Sequence, residues 1–359
     1  TDDVKIWTVT NSGLTDVFGS YQVATAYGNN GRYNAGQIYK NVTVDEHDKQ
    51  VIEFKDKEGK LILKKVQLTS MVDNGTGKNY EGWLSTYYIY DDLNNLRCVI
   101  QPEGVKTLIT NSWQLSNTLL SEQCFRYEYD RRNRMIMKKV PGAGEVYMVY
   151  DARDRLVMTQ DANLRQQGKW ILIKYDLLNR QTETGLLSNN TSFSTHLTAA
   201  ATSTNYLPAG TYELLTLTHY DDYAGLPAGL SVYLTSWNSY FGNTDNYNWP
   251  YPQMPEYSNN VKGMATWTQT KVLGTTNTFL NTVSYYDDKG RVIQVQSTNL
   301  SGGTDVVTTQ YSWAGQPLIT VQKQEKSGNN SQTTVVVTQN SYDDLGRLFK
   351  VEKKKPILS

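Results

Sequence analysis

The chain has 359 residues, with 35 Lys and Arg balancing 35 Asp and Glu, so its formal net charge is zero. That length can bury a core without a disulfide or metal staple. Neutrality argues against a nucleic-acid partner, which needs a basic face, and against a general pull toward anionic membranes. The aromatic content is skewed: 26 Tyr and 8 Trp against 7 Phe. Tyr and Trp favour strands and join an apolar body to a polar tip. No apolar run approaches the ~20 residues of a membrane helix.

In chain order, residues 1–50 read as a polar, strand-rich lead-in, with Gly28-Asn29-Asn30-Gly31 marking a turn. Residues 51–185 form a first repeat block. It opens on a degenerate unit, Lys55-Asp56-Lys57-Glu58-Gly59-Lys60-Leu61. Fuller copies follow: Tyr90-Asp91 leading to Asn94-Asn95, Tyr129-Asp130 to Asn133-Arg134, Tyr150-Asp151 to Asp154-Arg155, and Tyr175-Asp176 to Asn179-Arg180. Residues 186–265 read as an insertion. It holds a Ser/Thr/Ala/Asn tract at 189–205, suited to an exposed loop or a short poor helix. An aromatic tract at 233–257 follows, with Trp237, Tyr240, Trp249 and Tyr251 among Asn and Pro. Tyr220-Asp221 falls inside the 186–265 insertion, ahead of the aromatic tract, with Gly225 one place late. Residues 266–359 form a second block with the clearest units, Tyr286-Asp287-Asp288-Lys289-Gly290-Arg291 and Tyr342-Asp343-Asp344-Leu345-Gly346-Arg347. Between them, Tyr311-Ser312 leads to Gly315 without the Asp or the Arg. No strong amphipathic helix is expected anywhere.

Each unit reads as a β-hairpin. Residues before the Asp alternate with period two, as Val146, Met148 and Tyr150 do against Tyr147 and Val149. The Asp side chain accepts from backbone N–H groups just beyond it and opens the turn. The third residue after it is Gly, Asn or Asp, the types that tolerate positive φ. Arg then begins the return strand and reaches back to the Asp. As an exposed pair this is worth only ~0.2–1 kcal/mol and acts on register more than stability.

Repetition of these turns, over about half of the chain, makes the sequence resemble the bacterial RHS, or YD-repeat, proteins. The resemblance is carried by residues 51–67, 88–185 and 282–351. It implies an all-β fold of consecutive antiparallel β-hairpin repeats forming a curved, spiralling sheet, part of a hollow shell. Such shells enclose a C-terminal toxin or effector domain, or belong to surface adhesion proteins. The resemblance therefore implies an exported protein, extracellular or on the cell surface, whose partner is the remainder of the same polypeptide. Family shells end in a core segment with an Asp-Pro step and an aspartate-dependent self-cleavage site. This chain has no Asp-Pro dipeptide, so the expectation is shell wall without plug, autoprotease or toxin.

No catalytic constellation is visible, and no enzyme, metal or cofactor is expected. His47, His196 and His219 lack metal-ligand spacing, and there is no G-x-S-x-G elbow. Gly75-Thr76-Gly77-Lys78 resembles the end of a phosphate loop but lacks its first Gly, since Val72 stands there. The paired acids Asp91-Asp92, Asp221-Asp222, Asp287-Asp288 and Asp343-Asp344 suggest calcium until their common place in the turn is noted; calcium needs six to eight oxygens, about. Counting carboxylates does not exclude a glycosidase pair. Cys98 and Cys124, on strands flanking one connection, read as buried free thiols, the alternative being a disulfide, which needs Cα atoms within ~7 Å. The alternative function is a carbohydrate-binding or adhesion module, in which Trp237, Tyr240, Trp249 and Tyr251 contact surface glycans. The competing reading packs those rings over the sheet.

Overall fold

The computed structural model describes residues 3–13, 16–25, 30–68, 76–242 and 251–354. The fold is all-β apart from a few short helices in connections. A 19-strand antiparallel sheet runs in strict chain order, and among the described residues its first and last strands each pair on one side only. The chain divides into two compact units, residues 1–172 with 187–211, and residues 173–186 with 212–359.

The first unit begins with a separate hairpin, β1 (Trp7–Thr10) and β2 (Ser20–Val23). The main sheet follows: β3 (Tyr39–Val44), β4 (Gln50–Lys55), β5 (Leu61–Gln67), β6 (Trp83–Tyr90), β7 (Leu96–Ile100), β8 (Cys124–Tyr129), β9 (Met135–Lys139), β10 (Val146–Tyr150), β11 (Leu156–Gln160) and β12 (Lys169–Tyr175). Alternate residues of one sheet face, among them Ile52, Phe54, Leu63, Tyr87, Ile89 and Ile100, are buried. The N-terminal segment covers them with Val4, Trp7 and Tyr21, and the Tyr87 hydroxyl accepts from the Lys5 N–H at 2.9 Å.

Helices also cover this unit: α1 (Pro102–Thr110), α2 (Asn117–Glu122), α3 (Ala162–Gln166) and α4 (Phe193–Ala201). α4 stands in the tract at 189–205, where a short helix was one of two expectations, whereas α1, α2 and α3 were not expected. Each is too short for a long periodic pattern, yet each has a start signal. Pro102 stands in the first turn of α1, and Ser116, Asp161 and Ser192 cap α2, α3 and α4 by accepting from the N–H three residues on. α1 buries Val105 and Leu108, one turn apart, against the sheet core. α4 seats Phe193 flat on Tyr147, ring centres 4.3 Å apart.

The second unit continues with β13 (Gln181–Ser188), β14 (Thr211–Tyr220), β15 (Ala265–Lys271), β16 (Phe279–Tyr286), β17 (Val292–Thr298), β18 (Thr304–Tyr311), β19 (Pro317–Lys326), β20 (Gln332–Tyr342) and β21 (Leu348–Lys354). Part of one face here is polar yet buried: Asn281, Gln294, Gln296, Thr308 and Gln310. Buried amides need partners, and the connection between β14 and β15 supplies them. Gln294 accepts from the Leu234 N–H at 2.9 Å and donates to the Leu234 carbonyl at 2.8 Å. Gln296 accepts from Ser231 N–H at 3.0 Å, and Asn281 donates to the Ala228 carbonyl at 2.9 Å. The same connection packs Trp237, Tyr240, Phe241 and Met254 against Leu318, Ile319, Val321, Val335 and Val337 of β19 and β20.

Candidate functional site

The Tyr-Asp turns share one construction. At Asp287, the Asp N–H donates to the Arg291 carbonyl at 2.9 Å and the Gly290 N–H returns to the Asp287 carbonyl at 3.1 Å. Asp287 Oδ1 accepts from the N–H groups of Lys289 at 3.0 Å and Arg291 at 2.8 Å. Asp287 Oδ2 takes the Arg291 Nε–H at 2.6 Å. Gly290 has φ +75°. This is a type I turn closed by one left-handed residue, with the register slip of a bulge before it. Asp343 repeats every element, with Gly346 at φ +73°. At Asp130, Asp151 and Asp176 the left-handed residue is Asn133, Asp154 or Asn179, with φ of 57°, 62° and 64°.

Topology gathers these turns. In a meander, every second connection lies at the same end of the strands. Asp56, Asp91, Asp130 and Asp151 follow β4, β6, β8 and β10 and so share one rim of the first unit. In the second unit Asp287, Ser312 and Asp343 follow β16, β18 and β20 and share one rim there.

Along each rim, a turn grips the next. Ladder register sets the residue four after the Asp opposite the Tyr of the following unit, so Arg134 faces Tyr150 and Arg291 faces Tyr311. The guanidinium carbons of Arg134, Arg180 and Arg291 lie 4.9, 4.3 and 5.0 Å from the ring centres of Tyr150, Tyr220 and Tyr311. Lys60 takes the same place over Tyr90 at 5.8 Å. The guanidinium also bonds the next turn: Arg134 to the Asp151 carbonyl at 3.1 Å and Asp154 Oδ1 at 2.7 Å, Arg291 to the Ser312 carbonyl at 2.9 Å. In the second unit the Tyr reaches back. The hydroxyls of Tyr220, Tyr286, Tyr311 and Tyr342 donate to the carbonyls of Gln181, Ala265, Val292 and Pro317, at 2.8 to 3.1 Å. Burial pushes the Tyr150, Tyr286, Tyr311 and Tyr342 hydroxyls up from their ordinary value, which keeps them protonated donors.

This packing corrects the expectation of an exposed Asp–Arg pair. The Asp151 side chain is 0% exposed and Arg155 8%; Asp287 is 8% and Arg291 20%. Arg155 donates to the Thr204 carbonyl at 2.7 Å, in the connection after α4, and Arg291 to the Ser312 carbonyl at 2.9 Å in the next turn. Several rim carboxyls sit below the usual range. At Asp343 the Arg347 N–H and then its guanidinium are the cause. At Asp176 burial opposes the shift, but the bonds from Arg180 prevail. Asp221 is held far down, first by the Arg180 fork at 2.9 and 2.6 Å and then by the Gly263 N–H.

Some copies depart from the template. Asp221 has φ +75° and opens the long connection to β15 rather than a short turn; its neighbour Asp222 accepts from Ala224 N–H at 2.9 Å instead. Where Asn95 replaces the Arg, Arg97, its side chain 3% exposed, reaches Asp91 at 3.1 Å from two residues further on and also pairs with Glu128. Turns that the Tyr-Asp pattern does not flag use the same construction. Asp45 with Asp48 and Asn299 with Gly302 lie at the opposite strand ends, and Ser312 replaces Asp on the rim. An acceptor side chain followed three residues later by Asp or Gly was the available signal.

Trp237 and Tyr240 pack against the sheet, whereas Tyr251 is 67% exposed with φ +49°. Trp249 lies outside the described residues. Cys98 and Cys124 are free, buried thiols on β7 and β8, set diagonally because Cys98 opposes Arg126. Burial, and then the neighbouring Cys124, pushes the Cys98 thiol up. Among the described residues no group of three or more His, Cys, Asp or Glu is gathered for a metal ion. No helix among them is long and apolar enough to cross a membrane.

No family model matches the chain, and no curated protein matches it. Solved structures of toxin assemblies align with most of the chain. The Tc holotoxin pore of Photorhabdus luminescens aligns at 15% identity and TM-score 0.40, over 88% of this chain and 14% of that one. The TcdB2-TccC3 structure aligns at 14% identity and TM-score 0.38, over 86% of this chain and 14% of that one. The chain thus spans about 14% of the length of these structures.

Proposed function

We propose that the chain is a length of wall in a YD-repeat shell of the RHS type, within a larger exported bacterial protein that encloses or presents a C-terminal toxin or effector domain. The observation that carries this reading is the rim, where Arg134 and Arg291 each stack on the next unit's Tyr and bond the next turn. Its charged groups are engaged with one another, which suits a scaffold. The wall segment itself is non-enzymatic and needs no cofactor. Its partner is the rest of the same polypeptide, and its place is the cell surface or the medium.

Cryo-electron microscopy of the full-length product tests this. The expected result is a closed β-walled chamber with these residues in its wall and a further domain inside or attached to it. A solid globule, or a flat sheet bounding no chamber, would overturn it. Fractionation of the producing bacterium should place the product outside the cytoplasm.

A carbohydrate-binding reading rests on a narrower observation. Tyr251 and Trp313 are 67% and 65% exposed, and their backbones meet, the Trp313 N–H donating to the Tyr251 carbonyl at 2.8 Å. Retention on a glycan array, lost on Trp313→Ala, would support it; no retention would remove it.

A further inference from the structure

Two backbone outliers of the first unit sit side by side. Among the described residues, non-glycine residues with positive φ are Asn or Asp, which tolerate it, except at Ser112, Trp113 and Tyr251. Ser112 and Trp113 are consecutive, at φ +49° and +63°, and a bulky ring in that conformation is strained. They close the end of α1, where the Trp113 N–H donates to the Leu108 carbonyl at 2.7 Å and a glycine is usual. The strained backbone sets the Trp113 ring against Trp7, Tyr80 and Tyr87, with ring centres 6.4, 5.2 and 5.8 Å away. The ring lines an open cleft of about 490 Å3, together with Lys5, Gln22, Ser112 and Gln114. The Lys5 side chain is 7% exposed, and its ammonium lies 4.9 Å from the Trp113 ring centre and 2.8 Å from Asp3 Oδ1. An ammonium has three N–H donors, and among the described residues Asp3 is the one acceptor that meets it. Arg32 Nε shares the same Asp3 oxygen at 2.7 Å, so two cations stand on one carboxylate and leave positive charge beside the cleft. The side chains of Gln22, Ser112 and Gln114 make no hydrogen bond among the described residues.

We propose that this cleft binds an acidic sugar residue, a pyranose that carries a carboxylate. Each lining group answers one part of such a ligand. Trp113 offers a flat apolar surface to the ring. Lys5 offers its spare N–H donors and the unbalanced charge to the carboxylate, and a charge-assisted bond in a half-enclosed place is a strong one. The amides of Gln22 and Gln114 and the hydroxyl of Ser112 donate and accept alike, as ring hydroxyls require. An apolar ligand would leave the Lys5 donors unpaired, and a neutral sugar would leave the charge unmatched. The volume lies within the ~300–1,000 Å3 of small-molecule sites. The site is separate from Tyr251 and Trp313, which belong to the second unit, and it does not rest on the scaffold reading.

The test is calorimetric titration of the 359-residue chain with glucuronic acid, and with glucose as the neutral control. Glucuronic acid should bind saturably, and glucose about tenfold more weakly, the size of one charge-assisted hydrogen bond. Lys5→Met should remove the preference, weakening glucuronic acid about tenfold and leaving glucose unchanged. Lys5 is buried, so an exposed position serves as the second variant. Gln114→Ala should weaken both sugars several-fold with an unchanged melting curve. Trp113→Asn keeps a residue that tolerates the left-handed conformation and removes the ring, so it should lose both sugars. No saturable binding of either sugar would overturn the proposal and leave the scaffold reading standing. Equal binding of the two sugars would overturn the acidic assignment. Glucuronic acid binding that neither Gln114→Ala nor Trp113→Asn changes would put the sugar elsewhere and overturn the site.

Discussion

Arg291 and Tyr311 stand opposite each other where β17 meets β18, the guanidinium 5.0 Å from the ring centre, while the Tyr311 hydroxyl bonds the carbonyl of Val292, the residue after the Arg. One pair of side chains thus joins consecutive hairpins in both directions. Asp287 shapes its own turn, and Tyr311 serves the turn before it. The Tyr-Asp dipeptide therefore combines two functions that act on different neighbours.

The left-handed turn residue gives a local test. Gly290 has φ +75°, and a Cβ there would meet only the flexible Met264 Cε, at 2.9 Å. Gly290→Val should cost ~1–2 kcal/mol through backbone strain. Gly290→Asn should cost clearly less, because Asn133 and Asn179 already hold this conformation at φ 57° and 64°. Urea unfolding of both variants separates backbone strain from simple loss of space, since both add a side chain.

Burial should grade the Asp substitutions. The Asp151 side chain is 0% exposed and its partner Arg155 8%. Asp151→Ala leaves a buried guanidinium without its carboxylate and should cost ~3–5 kcal/mol. Asp343 and Arg347, 30% and 74% exposed, stand at the open edge, and Asp343→Ala should cost far less. Thermal melts of the two variants provide the comparison, and equal losses would mean that the rim does not bury its pairs.

Acid should act in two stages. His196 is buried under Trp170, its ring bonded to the Tyr206 hydroxyl at 2.8 Å, and burial lowers its pKa from the ordinary value. A depressed histidine contributes stability that is complete above ~6.5 and declines as pH falls below it. Asp176 and Asp343 are also depressed, by the bonds from Arg180 and Arg347, so their contribution is complete above ~4 and is lost at lower pH. His196→Gln should remove the first decline and leave the second, read from melting temperature between pH 7 and pH 3, approximately.

The hairpins were legible in the sequence because their determinants are local. Alternation, an acceptor such as Asp287, and Gly290 three residues later define a turn within a few residues. The clamp was not legible. Arg134 and Tyr150 are separated by a whole strand and connection, and only the ladder register brings them opposite each other. The same distance hid the burial of Asp151 and the takeover of the Asn95 position by Arg97. Asp45 and Asn299 escaped because they lack the tyrosine, which the turn itself does not use. Asp221 kept the dipeptide but lost the spacing, and its strand pairs with β15 only after a long connection. The buried glutamines were not legible either, because the Ser231 and Leu234 N–H groups that bond Gln296 and Gln294 stand 65 and 60 residues away in the chain.

A double-mutant cycle on Arg291→Ala and Tyr311→Ala tests the coupling of neighbouring hairpins most directly. Both residues lie within one unit, and each substitution also removes contacts outside the pair, which the cycle cancels. Urea unfolding of the parent, the two single variants and the double should give a favourable coupling of ~0.5–2 kcal/mol. Strictly additive losses would contradict the clamp and leave the repeats as hairpins held by their ladders alone.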